Sequence, residues 1–382
     1  APGAATVVGM PSPPRPARRR LSWLSEMLAV PAMDPTVNPP WHPWYMVGIF
    51  RFDTAPDLGA LRRDTCARLA TIPRFAARVR ETPAGTYDLD PVDPADIDPR
   101  YHVQLVDQEA PWTEADLLAH VADTARAPLR TDAPLWQLRL VRRMADGGAA
   151  VVCVVDHSVG DGAMAMSALL ETAQVVGEDG VSAGVAAAAH GVSAPKRGAP
   201  RERLPWRTWC WVQLQGLCIA FLPGVLHDGY NALKRRQLLQ PSVGKRVSLT
   251  QPVSLAALRR ARAAAAARGL PGLTVNDVLV AAMAAATRHC LDAAGQREAP
   301  LRGGFTLSLR PPGFDARSDQ RGNGTLAHNH AFPGPEVLRG PALGLLRAVR
   351  EELSRSKQCL DGPVNEALGA RLMPLLKRMG LH

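Results

Sequence analysis

Apolar and polar positions along the chain change period several times, and the changes predict the alternating strands and helices of an α/β protein. Met46 to Phe52 (MVGIFRF) is a run of β-formers, and Asp57 beyond it is placed to cap a helix running through Leu69. Thr113-Glu114-Ala115-Asp116 has the form of a capping box, starting a helix that Pro128 must end because proline cannot continue the backbone hydrogen bonding. Trp136 to Val141 and Val151 to Asp156 predict two strands joined through Asp146-Gly147-Gly148, a turn that needs positive φ. The second strand ends at Asp156-His157, turns through Ser158, Val159 and Gly160, and restarts at Asp161-Gly162 as an apolar segment of helical length. Farther along, Ser254 caps an Ala/Arg-rich helix ending at Gly269, and Thr274 caps another through Leu291. Phe305, Leu307 and Leu309 alternate with Thr306, Ser308 and Arg310, which predicts a strand delivering Arg310 on its polar face. Leu346, Val349 and Leu353 mark a late amphipathic helix.

Where periodicity fails, the chain divides. Glu171 to Arg203 is dominated by Gly, Ala, Ser and like-charged residues and reads as a mobile linker. Thr208 to Leu226 (TWCWVQLQGLCIAFLPGVL) then runs for 19 residues without a charge, with Trp206, Trp209 and Trp211 at one end and Lys234, Arg235 and Arg236 beyond the other. Length and flanks suggest membrane contact, although Gln213, Gln215 and Pro223 weaken a spanning helix against an interfacial or a buried one. Residues 1–20 contain no acid, several prolines and an arginine cluster, and are expected to be a disordered or truncated end. The resulting divisions are a tail over 1–20, a first half over 21–172, a linker over 173–203, a membrane-associated segment over 204–240 and a second half over 241–382.

Composition narrows the function classes. With 382 residues and 46% hydrophobic content the chain can build two ordinary domains. Its 45 Lys and Arg exceed its 35 Asp and Glu by 10, which favours anionic partners. Nucleic acid has little support beyond charge, since no basic segment is interleaved with aromatics and no C2H2 spacing occurs. A phosphate-bearing substrate or lipid headgroups fit better. The six cysteines are scattered, without a C-x-x-C pair or zinc spacing, which implies a reducing compartment. His328-x-His330 has no third ligand near it, so no metal is expected.

The candidate chemistry sits at the strand exit. His157 places one imidazole where a hairpin hands over to a helix, and Asp161 is close enough to brace the loop or cap the helix. A cap beside a surface histidine is the structural alternative. Pro134-Leu135-Trp136, the loop Asp156-His157-Ser158-Val159-Gly160-Asp161-Gly162, Thr274-Val275-Asn276-Asp277, and Ser308-Leu309-Arg310-Pro311 followed by Gly322-Asn323 together, in this order, resemble the wax ester synthase/diacylglycerol acyltransferase family. The resemblance runs from about Leu21 to the end of the chain, and the Ser-x-Gly-Asp-Gly form looks more like the plant and algal branch. One departure is that the family's HHxxxDG motif opens on two histidines, whereas Asp156 stands in place of the first, where a carboxylate could raise the pKa of the neighbouring base. The family also continues past the Gly322-Asn323 region, so the second half is expected to be incomplete.

The resemblance implies two chloramphenicol-acetyltransferase-like halves packed face to face, with a tunnel entered by acyl-CoA from one side and by a long-chain alcohol or diacylglycerol from the other. His157 would be the general base, with no acyl-enzyme, no bound cofactor and no metal; Asp161 would pair with Arg310 of the second half and so stay off the imidazole. For Asn276-Asp277 the residues favour structure over chemistry, because Thr274-x-x-Asp277 is itself a capping box. If both halves contribute to one site they lie on one side of the bilayer, which forbids a single crossing between them and favours an interfacial helix. The expected location is the cytosolic face of the endoplasmic reticulum or a lipid droplet, with a plastid as the alternative if the basic tail is a transit peptide. A catalytically lapsed relative that binds lipid or a membrane surface without turnover is the competing hypothesis, and an acyl-CoA assay separates the two.

Overall fold

The computed structural model describes residues 18–21, 25, 29, 44–83, 85–170, 172, 174–176, 182–184, 246–308, 310, 314–318 and 322–358. The first half opens with β1 (Arg19–Arg20) and β2 (Tyr45–Phe52) and continues through α1 (Leu58–Leu69), β3 (Ala77–Glu81) and β4 (Tyr87–Pro91). After the short α2 (Pro99–His102) come β5 (Val103–Leu105), α3 (Glu114–Thr124), β6 (Trp136–Val141), β7 (Ala149–Asp156) and α4 (Gly162–Leu170). The caps are those the residue types demand. Asp57 accepts the Ala60 N–H, and Thr113 and Asp116 close a reciprocal capping box.

β2, β7, β6 and β5 form a sheet in that order, antiparallel except for the β5/β6 pair. Every residue of β7 (AAVVCVVD) is buried, so its continuous apolar run is that of a central strand covered on both faces. One face, carrying Trp136, Leu138, Val151, Cys153 and Val155, packs with Leu69, Ile72, Phe75 and with Met164 and Ala168 of α4. The opposite face, with Val141, Ala150 and Val152, is closed by Leu117 and Val121 of α3. A second sheet, β1-β4-β3, joins the first core through Val79 and Leu89.

β8 (Gln174–Val176) and β9 (Ser182–Gly184) pair antiparallel as a small two-stranded sheet. The second half follows with α5 (Leu255–Ala267), α6 (Val275–Ala293), β10 (Arg302–Ser308), β11 (Thr325–Ala331), α7 (Pro335–Arg339) and α8 (Ala342–Gln358). β10 and β11 form a two-stranded sheet, and Ala281, Ala284 and Leu291 of α6 meet Val349 and Leu353 of α8 in a separate apolar cluster. Ser254 caps α5 and Thr274 caps α6, as their sequence positions predict.

Three expectations are corrected. The arginine cluster of the tail is partly ordered, because Arg19 and Arg20 pair with Leu89 and Asp88 of β4 and Arg18 binds Asp90 at 3.0 Å. The start of the 173–203 linker forms the β8/β9 pair rather than a featureless connection. The strand expected to deliver Arg310 stops at Ser308, and Arg310 lies beyond its end with its side chain only 4% exposed. Strands β3, β4, β5 and β11 were missed by sequence reasoning, although Ala77-Arg78-Val79-Arg80 and Tyr87-Asp88-Leu89-Asp90 alternate apolar and charged positions. The apolar segment 208–226 lies outside the described residues, and no helix among the described residues is long and apolar enough to cross a membrane.

Candidate active site

Two backbone hydrogen bonds hold the exit of β7. The Asp156 N–H reaches the Leu135 carbonyl at 2.9 Å and the His157 N–H reaches the Trp44 carbonyl at 2.8 Å. Pro134-Leu135-Trp136 is therefore scaffold: Leu135 supplies that carbonyl, and the wholly buried Trp136 donates its indole N–H to the Phe75 carbonyl at 2.8 Å. His102 stacks on Trp136 with ring centroids 4.0 Å apart, and burial lowers its pKa to about 4, so it serves there as a neutral packing group. The loop leaves the strand through the Asp156 side chain, whose Oδ1 accepts the Ser158 N–H at 2.8 Å and the Ser158 hydroxyl at 2.5 Å. Asp156 is fully buried, and burial pushes its pKa up to about 6. Its carboxylate is thus committed to Ser158, while the imidazole next to it takes a different partner.

That partner arrives from the second half. Gly322-Asn323-Gly324 docks on the loop through the Gly322 carbonyl, the Asn323 side-chain amide and the Gly324 N–H. The Asp161 N–H donates to the Gly322 carbonyl at 3.1 Å, and the Gly324 N–H donates to Asp161 Oδ2 at 2.9 Å. Asn323 Nδ2 donates to the His157 carbonyl at 2.8 Å, and Asn323 Oδ1 lies 2.9 Å from His157 Nδ1. A carbonyl oxygen only accepts, so the orientation of the amide is fixed by chemistry; Oδ1 faces the ring, and His157 Nδ1 must carry the hydrogen. The lone pair of Nε2 is then left to accept a proton, on a residue that is only partly buried.

Asp161 works at both ends of this contact. Its Oδ1 accepts the Met164 N–H at 3.0 Å, capping α4, while Oδ2 takes Arg310 Nη1 at 2.5 Å. The pair is buried, with side chains 2% and 4% exposed, and the second Arg310 nitrogen reaches the Gly322 carbonyl at 2.5 Å. Capping and cross-half pairing, which sequence reasoning set as alternatives, both occur. Gly162 opens α4 with open space where a Cβ would sit. Gly160 has no such freedom, since a Cβ there would fall 2.6 Å from the Met164 side chain.

Asn276 and Asp277 are not brought to this cluster. Asp277 Oδ2 accepts the Thr274 N–H at 2.7 Å in a reciprocal capping box, Asn276 is exposed, and no hydrogen bond joins either to His157. Ser25 and Arg74 were missed by sequence reasoning. Ser25 Oγ accepts from Asn323 Nδ2 at 2.8 Å, and Arg74 holds the Val159 and Ser158 carbonyls at 2.5 and 3.0 Å. A lone arginine inside the otherwise apolar stretch Ile72 to Ala77 was the only signal for Arg74.

Chemically, the cluster offers an oriented imidazole, and neither Ser158 nor Cys153 near it is available as a nucleophile. Ser158 is wholly buried with its hydroxyl bound to Asp156, and burial pushes the Cys153 thiol far up, away from thiolate. Among the described residues no group of three or more His, Cys, Asp or Glu could hold a metal; the side chains of His328 and His330 lie outside them.

Residues 36–269 match the family model described as wax ester synthase/diacylglycerol acyltransferase catalytic domain. A protein of Mycobacterium tuberculosis named as a diacylglycerol O-acyltransferase is 26% identical over 321 residues, covering 79% of this chain. The chain spans only 64% of the length of that relative. Among solved structures, the first condensation domain of the calcium-dependent antibiotic synthetase aligns with 90% of the chain and 76% of its own at a TM-score of 0.54 and 17% identity. The wax ester synthase/diacylglycerol acyltransferase of Marinobacter aquaeolei VT8 aligns with 95% of the chain and 79% of its own at a TM-score of 0.52 and 17% identity. These two likenesses show the mixed α/β fold of the condensation-domain and chloramphenicol-acetyltransferase-like kind.

Proposed function

Because the chain belongs to the wax ester synthase/diacylglycerol acyltransferase family, we propose that it transfers a fatty acyl group from acyl-CoA to the hydroxyl of a long-chain alcohol or diacylglycerol, with His157 as general base. The observation that carries this reading is the 2.9 Å contact of His157 Nδ1 with Asn323 Oδ1, which leaves Nε2 as the proton acceptor. An alcohol is a poor nucleophile at neutral pH, and an imidazole, with an ordinary pKa near 6.5, matches the task of taking its proton. As the hydroxyl oxygen bonds to the thioester carbonyl carbon, Nε2 takes the hydroxyl hydrogen. The tetrahedral oxyanion then re-forms the carbonyl and breaks the C–S bond, and the departing CoA thiolate recovers the proton from the imidazolium. The products are an ester and CoA, without an acyl-enzyme and without a bound cofactor. Asp161 and Arg310 lock the loop, and the Asp277 capping box supports a structural role for Asn276-Asp277.

On this reading, acyl-CoA and acceptor enter a tunnel between the halves from opposite sides, and the chain works at a membrane surface on the cytosolic side, at the endoplasmic reticulum or a lipid droplet. The uncharged segment 208–226 and the excess of 10 basic residues support the membrane part. The Ser158-x-Gly160-Asp161-Gly162 loop supports the plant and algal branch of the family. The intact His157–Asn323 and Asp161–Arg310 pairs favour an enzyme over a lapsed relative. Radiolabelled acyl-CoA offered with a long-chain alcohol and with diacylglycerol in parallel tests the proposal. Label should enter at least one neutral ester, and His157→Ala should lower turnover by about 10²–10⁴-fold with little change in acyl-CoA binding. Near-normal turnover in that variant would sink the mechanism.

A further inference from the structure

We infer that Arg74 and Ser25 are positioning residues for His157, acting through Asn323 to hold the imidazole in the tautomer that leaves Nε2 bare. The inference rests on His157 being the proposed base. Hydrogen-bond polarity is forced at both ends of the chain of contacts, because a guanidinium only donates and a carbonyl oxygen only accepts. Arg74 Nη2 donates to Ser25 Oγ at 3.2 Å. The Asn323 amide spends its two hydrogens on Ser25 Oγ and on the His157 carbonyl, each at 2.8 Å. Oδ1 is then the atom that Asn323 turns to the ring. Rotating the amide by half a turn would set Oδ1 against the His157 carbonyl oxygen and would require the Ser25 hydroxyl hydrogen to swing round. It would also present Nδ2 to His157 Nδ1, which would have to accept, moving the ring hydrogen to Nε2 and abolishing proton acceptance there.

The same guanidinium fixes the other surroundings of the ring. Arg74 is 4% exposed and Ser25 is wholly buried, so neither geometry is loosened by water. Arg74 binds the carbonyls of Ser158 and Val159, the two residues that follow His157. Gly322, which precedes Asn323, packs on it so closely that a Cβ there would lie 2.2 Å from Arg74 Cζ. One rigid, planar group therefore locates the base's loop, the anchor of the orienting amide and the backbone that carries that amide. Small errors here matter, since catalytic groups need placement within about 0.5 Å.

The test uses the full chain with ¹⁵N-labelled histidine at about pH 9, where ordinary imidazoles are neutral. The His157 signals are identified by their loss in His157→Ala. Wild type should show a protonated Nδ1 and a bare Nε2. Asn323→Ala should move toward the Nε2-protonated form that free histidine prefers. Ser25→Ala and Arg74→Lys should show mixtures, and Ser25→Thr, which keeps the hydroxyl, should restore the wild-type pattern. In parallel, Ser25→Ala should lower kcat about 10-fold, a fraction of what a general base contributes, with KM for acyl-CoA unchanged. Wild-type shifts in a folded Ser25→Ala protein, or a wild type bearing its hydrogen on Nε2, overturn the inference; Ser25→Ala decides even if Arg74→Lys fails to fold. The expected tautomers without acyl transfer would refute the acyltransferase reading alone. His157-dependent transfer with tautomers indifferent to Ser25 would refute the inference alone.

Discussion

The contact between Asp161 and Arg310 offers the most direct test of how the two halves hold together. Both side chains are almost completely buried, at 2% and 4% exposure, so removing one partner leaves the other charge in the interior. Such a loss typically costs about 3–5 kcal/mol. The two deletions should not be equal. When Arg310 is removed, the Asp161 carboxylate still accepts the Met164 and Gly324 N–H groups, which compensate part of its charge. Arg310→Ala should therefore lie near the lower end, at about 3 kcal/mol. Asp161→Ala removes the α4 cap as well, a further ~1 kcal/mol, and strands the Gly324 N–H, so a loss of roughly 5 kcal/mol is expected. In the double mutant the stranded charges vanish together, and the coupling energy should be about 2–3 kcal/mol. Urea denaturation of the four proteins measures it, repeated at high salt, which screens a buried pair only weakly. Coupling below about 0.5 kcal/mol would mean that the two residues act independently and that Asp161 serves only as a helix cap.

Three other perturbations follow from the same geometry. Burial holds the Asp156 pKa at about 6 against an ordinary 3.8, so the folded protein binds more protons than the unfolded chain between these values. Stability should therefore fall as pH rises from about 4 through about 6, by about 3 kcal/mol, and Asp156→Asn should flatten that slope; identical pH dependence in denaturation curves of the two proteins would contradict it. Gly322→Ala combines a positive φ of 68° with a clash against the buried Arg74, and should cost about 2–4 kcal/mol and separate Asn323 from His157; an unchanged melting temperature and His157 ¹⁵N pattern would count against the packing described. Deleting residues 208–226 should move the protein from the membrane to the soluble fraction, and unchanged partition would refute the interfacial reading.

Much of the local structure was written in the sequence. The Asp57, Thr113, Ser254 and Thr274 caps, the Gly147 turn and the buried β7 depend on neighbours within a few residues, where hydrogen-bonding groups and periodicity act directly. The family motifs likewise singled out His157, Asp161 and Arg310, and the Asp161–Arg310 pair is present. What the residues could not specify alone was which groups would meet across long stretches of chain. Asn323 reaches His157 over a separation of 166 residues, and its amide hydrogens go to Ser25 and to a backbone carbonyl, none of which leaves a periodic trace. Arg74 carries no local signal beyond its place in an apolar stretch, and only the fold sets two carbonyls and a side-chain-free glycine against it. Arg310 reads as the polar face of a strand, yet the strand ends at Ser308 and the Arg310 side chain is buried against Asp161. Local hydrogen bonding and side-chain periodicity determined the elements, whereas the docking of Gly322-Asn323-Gly324 on the His157 loop decided which groups face the imidazole, because only tertiary packing brings distant donors and acceptors together away from water.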